Sequence, residues 1–350
     1  MADADTSICL MEKSLQRVFC DDARRHLFGA GPERALDVYR RFVVPGSGPG
    51  VYLEFPLGGS PSYDVLVGPY GDDIAPGTHL SPANPPACRA AWDWASTSRT
   101  DPGMDLLFEL DAWGPKDQHA GIHFRHMGNL RAADSFLHAM GEGWRSQQYL
   151  DVVGRLPEGW DPLFVAVFFG RPGAPTRLEL YPSRREMTRI VREPDYLATC
   201  LDRIGFEVYD GRMLDNVRAI VAFGRPVAFQ FDILVGGSLG NTFSVEPFFE
   251  GTGKDFGALY AEAGVIGRVC GALEYMGFAD DRWRLVEKLL FADKRVENLG
   301  GEQRWVSSIS MPICAKAKWI DTKPLSAKFY VSLKHVVGER WSLLSWVNRR

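Results

Sequence analysis

Short strand-like segments come in pairs along this chain, and each pair is joined by a tight turn. The clearest pair is residues 227–235 and 242–249, where Phe229 and Phe231 flank the polar residue Gln230. Such alternation buries one face of a strand and leaves the other face polar. A parallel partner would need a crossover of a dozen or more residues, so strands this closely spaced pair antiparallel. The chain is therefore restricted to folds built on antiparallel sheet.

Five strand pairs alternate with segments whose apolar residues recur at helical spacing. The pairs are 51–55 with 63–67, 105–111 with 121–126, 163–169 with 176–181, 227–235 with 242–249, and 308–319 with 326–335. Helices are predicted at 10–28, 195–204, 214–223, 255–276 and 281–291. This order predicts an α+β fold with helices packed on antiparallel sheets. Two similar halves are an open alternative, with an N-terminal domain at 1–155 and a C-terminal domain at 156–350.

The composition is that of a soluble globular protein, with 45% apolar and 24% charged residues in a chain of 350. No stretch approaches the roughly 18 consecutive apolar residues that a membrane helix needs. The acidic start of the chain has neither the basic nor the apolar region of a signal peptide. The six scattered cysteines fit small buried side chains in a reducing compartment. We therefore expect a cytoplasmic protein without a membrane partner.

Positive charge is concentrated near the carboxyl end. The last 36 residues carry eight Lys or Arg and two acids, although the whole chain has a net charge of −4. An acidic whole argues against a nucleic-acid partner. In the final hairpin, Lys316 and Lys318 share one strand face, and Lys328 and Tyr330 share a face of the next strand. With Arg177 from an earlier strand, such a patch suits a diphosphate, a carboxylate or an acidic peptide. A solvated sheet edge is the alternative interpretation.

Two motifs have a catalytic appearance. The run Gly236-Gly237-Ser238-Leu239-Gly240 matches the GxSxG pattern of hydrolases, but the residues after it alternate like a strand, where that pattern needs a helix. We therefore predict a hairpin turn. His119, His123 and His126 lie within eight residues, so a metal pair of the first two is sterically allowed. No cysteine or HExxH glutamate completes a ligand set, so we expect neither a metal nor a cofactor.

Carboxylates lie on several predicted strands or at their ends. They are Glu54, Glu109, Asp111, Glu179, Asp232 and Glu246. If two of them met, one carboxyl would have a raised pKa and act as an acid. Half-exposed sheet faces are the alternative interpretation. Near the carboxyl end, Trp341 and Trp346 are expected to dock on this domain or on a partner.

The order of several segments resembles a family of bacterial proteins from pathways of ribosomally made, post-translationally modified peptides (RiPPs), of the crocagin-pathway peptide-binding type. The segments are 51–55, 107–111, 169–172 with 176–180, 236–240 with Glu246, and 323–330. The resemblance spans roughly residues 50–335 and implies a non-catalytic cytoplasmic protein that presents a precursor peptide to tailoring enzymes of the same pathway. Open sheet edges would hold an extended peptide through backbone hydrogen bonds. A homodimer is also left open.

The alternative is an enzyme. The repeated helix and strand-pair units and the basic final hairpin also resemble the barrel-shaped aromatic prenyltransferases, including those that act on peptides. That resemblance implies a lumen in which Lys316, Lys318, Lys328 and Tyr330 hold an isoprenyl diphosphate. It also implies that Glu54 or Glu179 orients the nucleophile.

Overall fold

The computed structural model describes residues 4–19, 26–44, 50–68, 74, 77–98, 105–110, 120–170, 173–249, 256–299 and 301–338. Within these residues, one antiparallel sheet of eleven strands forms the centre of the molecule. The strands are β1 (Gly50–Pro56), β2 (Asp64–Gly68), β3 (Asp105–Leu110), β4 (Ala120–Arg125), β5 (Trp160–Phe169), β6 (Thr176–Pro182), β7 (Val227–Ile233), β8 (Leu239–Pro247), β9 (Phe291–Leu299), β10 (Glu302–Ile320) and β11 (Lys323–Gly338).

All of these strands except β9 close into a barrel, because β11 pairs with β10 on one side and with β1 on the other. Tyr330 lies opposite Cys314 in the first pairing and opposite Glu54 in the second. The expected fold, with helices packed on antiparallel sheets rather than around a closed barrel, is therefore wrong. Turn chemistry predicts the neighbouring hairpins, but the β1–β11 pairing joins residues more than 270 positions apart. No local pattern records such a pairing.

Helices pack against the outer face of the barrel. They are α1 (Ala4–Phe19), α2 (Glu33–Phe42), α3 (Pro86–Thr97), α4 (Leu130–Ala139), α5 (Ser146–Val153), α6 (Arg184–Arg192), α7 (Tyr196–Ile204), α8 (Gly211–Val221) and α9 (Phe256–Tyr275), with 3₁₀ helices at Gly143–Arg145 and Asp281–Leu289. No helix in the described part of the chain is long and apolar enough to cross a bilayer.

The hydrophobic core lies between the barrel and this helical layer. Phe108 of β3 packs against Phe42 of α2 with ring centroids 4.9 Å apart, and Phe243 of β8 packs against Phe206 at 5.6 Å. Successive side chains of a strand point to opposite faces. Since the outward face is buried in this core, the polar residues that alternate with it point into the barrel.

Two turns show how the hairpins are made. Gly236 and Gly237 have φ angles of 104° and 84° between β7 and β8, which only glycine adopts readily. The GxSxG run is thus a hairpin turn, as predicted. Between β10 and β11, Asp321 and Thr322 also have positive φ angles, 48° and 66°, as a two-residue turn of this handedness requires.

Strand β9 lies outside the barrel and pairs with the first half of β10. We call β9, residues 302–312 of β10 and residues 331–338 of β11 the arm. The sequence analysis predicted no strand at 291–299 and extended a helix to residue 291, where the structure has a 3₁₀ helix ending at Leu289. Within the described residues, β9 pairs with one strand, so its other edge is open.

Candidate functional site

The barrel encloses a cavity of about 300 Å³, lined by side chains from each of its ten strands. Cavities of this size hold a small ligand. The lining combines apolar side chains, such as Leu66, Phe164 and Phe248, with charged side chains of both signs. A charged lining that is mostly removed from water can bind and orient a polar ligand strongly.

Four cationic side chains face the same part of this cavity. They are Arg177, Lys316, Lys318 and Lys328, which we call the basic cluster. Lys316 and Lys328 lie directly opposite each other in the β10–β11 pair. The Arg177 guanidinium contacts Asp232 at 3.1 Å and stacks over the Phe168 ring, 4.7 Å from its centroid. The final hairpin and β6 therefore bring their positive charges together inside the barrel.

Lys318 differs from the other three members of the basic cluster. Each of those makes an ion pair, whereas no ion pair or hydrogen bond of Lys318 is found in the described part of the chain. Burial lowers the pKa of Lys318, the Arg177 charge lowers it further, and Asp232 acts in the opposite direction. A bound anion would offset the burial and the repulsion together. Lys318 therefore marks the point of the cavity best suited to an anion.

Glu54, on β1, is held as a carboxylate. It is 5% exposed, and it accepts hydrogen bonds from the Lys328 ammonium and the Tyr330 hydroxyl. Lys328 also lies 3.4 Å from Asp64. Burial acts to raise the pKa of Glu54, but the charges of Lys328 and Lys316 and the hydrogen bond from Lys328 together outweigh it, so the pKa is lowered. An ionised carboxylate that lines a cavity can accept an N–H or O–H from a ligand.

Glu179, on β6, behaves in the opposite way. It is 7% exposed and accepts a hydrogen bond from Gln230 Nε2 at 2.6 Å. The Gln230 carbonyl oxygen accepts from Lys316, whose ammonium also lies 2.9 Å from Glu246. Burial and the charge of Glu246 raise the pKa of Glu179 to about 8. This carboxyl therefore keeps its proton at neutral pH.

Two further pairs complete the polar lining. The Nε2 atom of His123 lies 2.8 Å from Glu109, and an Arg125 nitrogen lies 3.1 Å from Asp105. Burial would raise the pKa of Glu109, but its hydrogen bond with His123 and the His123 charge hold it well below the ordinary value. Both pairs join β3 to β4 across neighbouring strands.

The structure places all five residues proposed for anion binding in this one cavity. Lys316 is 7% exposed, so the solvated-edge interpretation is wrong for it. The Tyr330 hydroxyl donates to Glu54, and Arg177 is held by Asp232. These two therefore support neighbouring carboxylates in addition to facing the cavity.

The other candidate residues have different outcomes. Glu54, Glu109, Glu179 and Glu246 are buried, so the half-exposed interpretation is wrong for them. Among the described residues, no group of three His, Cys, Asp or Glu side chains could hold a metal ion. His126 is buried, with Nε2 2.7 Å from the Tyr149 hydroxyl. The predictions on Asp111, His119, Trp341 and Trp346 concern residues outside the described part of the chain.

Gln230, the His123–Glu109 pair and Arg125 were not predicted as members of one site. The sequence feature that could have indicated them is a polar residue at every second position of β4 and β7. That pattern is the same for a face that meets water and for one that lines a closed barrel. Only the closure of the barrel separates the two cases.

The barrel is similar to solved dimethylallyltryptophan synthases. A structure of 6-dimethylallyl tryptophan synthase matches with a TM-score of 0.53 and 12% identity, covering 92% of this chain and 94% of that chain. The 6-dimethylallyltryptophan synthase from Micromonospora olivasterospora, solved in complex with DMASPP and Trp, matches with a TM-score of 0.50 and 13% identity, covering 92% and 96%. At this identity the likeness shows the fold alone, a closed antiparallel barrel similar to that of these synthases. No protein-family model and no curated protein matches the sequence.

Proposed function

We propose that this protein transfers an allylic group from a prenyl diphosphate to an aromatic acceptor inside the barrel. The observation that carries the proposal is the basic cluster, where Lys318 is surrounded by cations and has no ion pair among the described residues. Negative charge develops on the diphosphate as it leaves, and fixed cations in a dry cavity stabilise that charge. The likeness in fold to dimethylallyltryptophan synthases supports this assignment.

The carboxylates of the cavity are compatible with an anionic substrate. Asp232, Glu246 and Glu54 pair with Arg177, Lys316 and Lys328 and hold these cations in place. A buried cation without a partner would be costly in the free protein, and each ion pair removes that cost. Lys318 is the exception among the described residues, and a diphosphate would pair with it.

The acceptor side of the proposal rests on Glu54. Its ionised carboxylate lines the cavity and can accept the N–H of an indole or the O–H of a phenol. Such a hydrogen bond strengthens as the ring becomes positively charged, so it stabilises the transition state more than the ground state. Glu179 carries a proton at neutral pH and adds no charge there. Of the two glutamates implied by the prenyltransferase resemblance, we therefore assign the orienting role to Glu54.

Calorimetric titration with the unreactive analogue dimethylallyl S-thiolodiphosphate tests the anion site. Lys318→Gln should weaken binding about tenfold or more, because a hydrogen bond between charged groups contributes about 1.5–3 kcal/mol. The matched control is Lys323→Gln on the same hairpin, where the side chain is exposed. Equal affinity of the Lys318 and Lys323 variants would contradict the anion site.

Transfer itself is tested by mass spectrometry. Wild-type protein is incubated with allylic diphosphates of five, ten and fifteen carbons and with tryptophan, tyrosine or a tryptophan-containing peptide. The proposal predicts a mass increment of one prenyl group on one of these acceptors. Absence of an increment from every combination, under conditions in which the diphosphate binds, would contradict it.

The arm favours a second candidate function, the binding of an acidic peptide as in the RiPP interpretation. One face of the arm is continuous with the side of β11 that faces the lumen. This face carries Val296 and Trp305, which are 47% and 43% exposed. Lys294 lies over the Trp305 ring at 4.5 Å, and Lys334 lies over the ring of Tyr52, which lines the cavity. The described residues of this face include these two lysines and no carboxylate. Its charge and its continuity with the cavity therefore fit an extended acidic peptide with an aromatic side chain.

The acids of β9 lie on the other face of the arm. Glu297 and Asp293 pair with Lys13 and Arg17 of α1. The open edge of β9 can pair with a peptide strand, and such edges bind peptides through main-chain hydrogen bonds. Several such edges are predicted from the sequence. Closure of the barrel pairs most of them, and among the described residues β9 keeps one edge unpaired along its whole length.

Fluorescence polarisation with a labelled acidic peptide that contains one tryptophan tests this candidate. Val296→Asp should weaken binding about tenfold, since it puts a carboxylate into the apolar contact and repels an acidic peptide. Val191→Asp is the matched control, because Val191 is an exposed valine on α6, away from the arm. Similar affinity of the two variants, or preference for a basic peptide, would contradict a peptide site on the arm.

A further inference from the structure

His123 and Glu109 form a pair inside the cavity. The Nε2 atom of His123 lies 2.8 Å from Glu109 Oε2, and the two side chains are only 12% and 11% exposed. Both residues line the same cavity as Lys318 and Glu54. The pair is therefore within the volume in which the proposed reaction takes place.

The contact fixes which ring nitrogen carries the proton. The pKa of Glu109 is held well below its ordinary value, against the effect of burial, by the hydrogen bond and charge of His123 and by the charges of Lys328 and Arg177, and the last two remain when the imidazole is neutral. Glu109 is thus a carboxylate and accepts the N–H of Nε2. A neutral imidazole then has its lone pair on Nδ1, for which no hydrogen-bond partner is found within the described residues. Nδ1 is therefore available to accept a proton.

The ring is also held in orientation by packing. The edge of His123 meets the Phe168 ring with centroids 5.8 Å apart and planes at 87°. Phe168 fits there because the opposite residue is Gly121, where an added Cβ would lie 2.9 Å from the Phe168 ring. A hydrogen bond and an aromatic contact thus fix two directions of the imidazole, as a proton-accepting group requires.

We propose that His123 is the base that removes the ring proton after prenyl transfer, and that Glu109 is the positioning residue that fixes its tautomer. This inference deepens the proposed function and rests on it. The C–O bond of the allylic diphosphate breaks and the diphosphate leaves with the electron pair. A C–C bond forms between the allylic carbon and the aromatic ring. The ring C–H bond then breaks, its proton goes to Nδ1, and its electrons restore aromaticity. The imidazolium returns the proton to water.

The kinetic test compares His123→Ala with wild type. General bases contribute about 10²–10⁴-fold, so kcat should fall about 100-fold or more, while KM for the diphosphate stays within about threefold. Added imidazole should restore at least about a tenth of the lost rate, which a purely structural histidine would not show. A deuterium at the reacting ring position should give a larger isotope effect in the variant than in wild type, because proton removal has become slow. His79→Ala, at an exposed histidine 71% accessible and absent from the cavity lining, is the control.

A second measurement does not depend on turnover. Nitrogen-15 NMR of histidine-labelled protein should show His123 protonated on Nε2 and unprotonated on Nδ1 above neutral pH, assigned by loss of the signal in His123→Gln. In Glu109→Gln the amide can donate to Nε2 as well as accept from it, so the Nε2–H tautomer of His123 should no longer dominate the spectrum.

The results of these experiments distinguish a failure of the base role of His123 from a failure of the proposed function. Active wild type with a His123→Ala variant that keeps more than half of kcat overturns the base, and so does an Nδ1–H tautomer. Wild type that binds the diphosphate analogue but gives no prenylated product overturns the proposed function and the base role together. In that case the NMR measurement still shows whether the pair has the tautomer inferred here.

Discussion

Glu54 and Glu179 lie five strands apart in a ten-strand barrel, on opposite walls of one cavity. Their pKa values are shifted in opposite directions. Their burial is nearly equal, at 5% and 7% exposure. Glu54 contacts the Lys328 ammonium directly, whereas Gln230 lies between Glu179 and Lys316. A neutral amide between carboxyl and ammonium leaves burial and the Glu246 charge dominant, so Glu179 keeps a proton. The charge of a buried carboxyl is thus set by its immediate neighbour rather than by its depth.

The largest expected effect comes from removing the charge of Glu54. Glu54→Gln should lower kcat for prenyl transfer about 100-fold, since the hydrogen bond that strengthens with ring charge is weakened and Lys328 is left without its main partner. Glu179→Gln replaces a protonated carboxyl with a neutral amide of the same shape, so at pH 7 this substitution should lower kcat less than about tenfold. Steady-state rates of the two variants test the comparison. Equal losses of kcat in the two variants would show that Glu54 and Glu179 do not differ in charge.

A smaller effect is expected in the pH dependence of stability. The pKa of Glu179 rises from an ordinary value of 4.5 to about 8 on folding, so the folded state binds the proton more tightly than the unfolded state. Wild type should therefore lose free energy of unfolding as pH rises from 4.5 to 8. Glu179→Gln lacks this loss and should be more stable than wild type by up to about 5 kcal/mol at high pH, with little difference at low pH.

Urea unfolding at pH 4.5, 7 and 9 measures this difference. The value to compare is variant minus wild type, because Glu54 and Asp232, whose pKa values are lowered, stabilise wild type and variant equally and lose that contribution mainly below pH 4.5. A stability difference that does not change with pH would contradict a protonated Glu179.

The smallest expected effect tests the role of the Gln230 amide, which lies between Glu179 and Lys316. Gln230→Met removes the hydrogen bonds to Glu179 and Lys316, so the free energy of unfolding should fall by about 1–3 kcal/mol at pH 7. The hydrogen bond from Gln230 lowers the pKa of Glu179, so its loss should move the stability transition of the preceding experiment to higher pH. A transition that moved to lower pH would mean that Gln230 does not favour the ionised form.

Local chemistry allowed much of the fold to be predicted, but not its closure. The ten barrel strands, the turn at Gly236 and the helices at 214–223 and 255–276 follow from turn residues and periodicity, whereas β9 was not predicted and β10 begins six residues before the predicted start at 308. The pairing of β1 with β11 depends on the sum of the twists and staggers of all the intervening strands. No single segment contains that information, so an open sheet and a barrel give the same pattern.

The same limit applies to the site. The shared faces of Lys316 with Lys318 and of Lys328 with Tyr330 follow from alternation along two strands of one hairpin. The contact of Lys328 with Glu54, by contrast, exists only because the barrel closes. The pKa of Glu54 could therefore not be predicted from the sequence, since it depends on a partner 274 positions away.

The pairing of β1 with β11 also sets an order of assembly during synthesis. When β1 leaves the ribosome, its partner will not be made for more than 270 further residues. Until then the charged side chains of the early strands meet water, and one edge of β1 has no neighbour to pair with. Folding that depends on such distant contacts is slow. Nascent chains halted before residue 323 should therefore be sensitive to proteases and dependent on chaperones, and protection should appear only when the final strand has emerged.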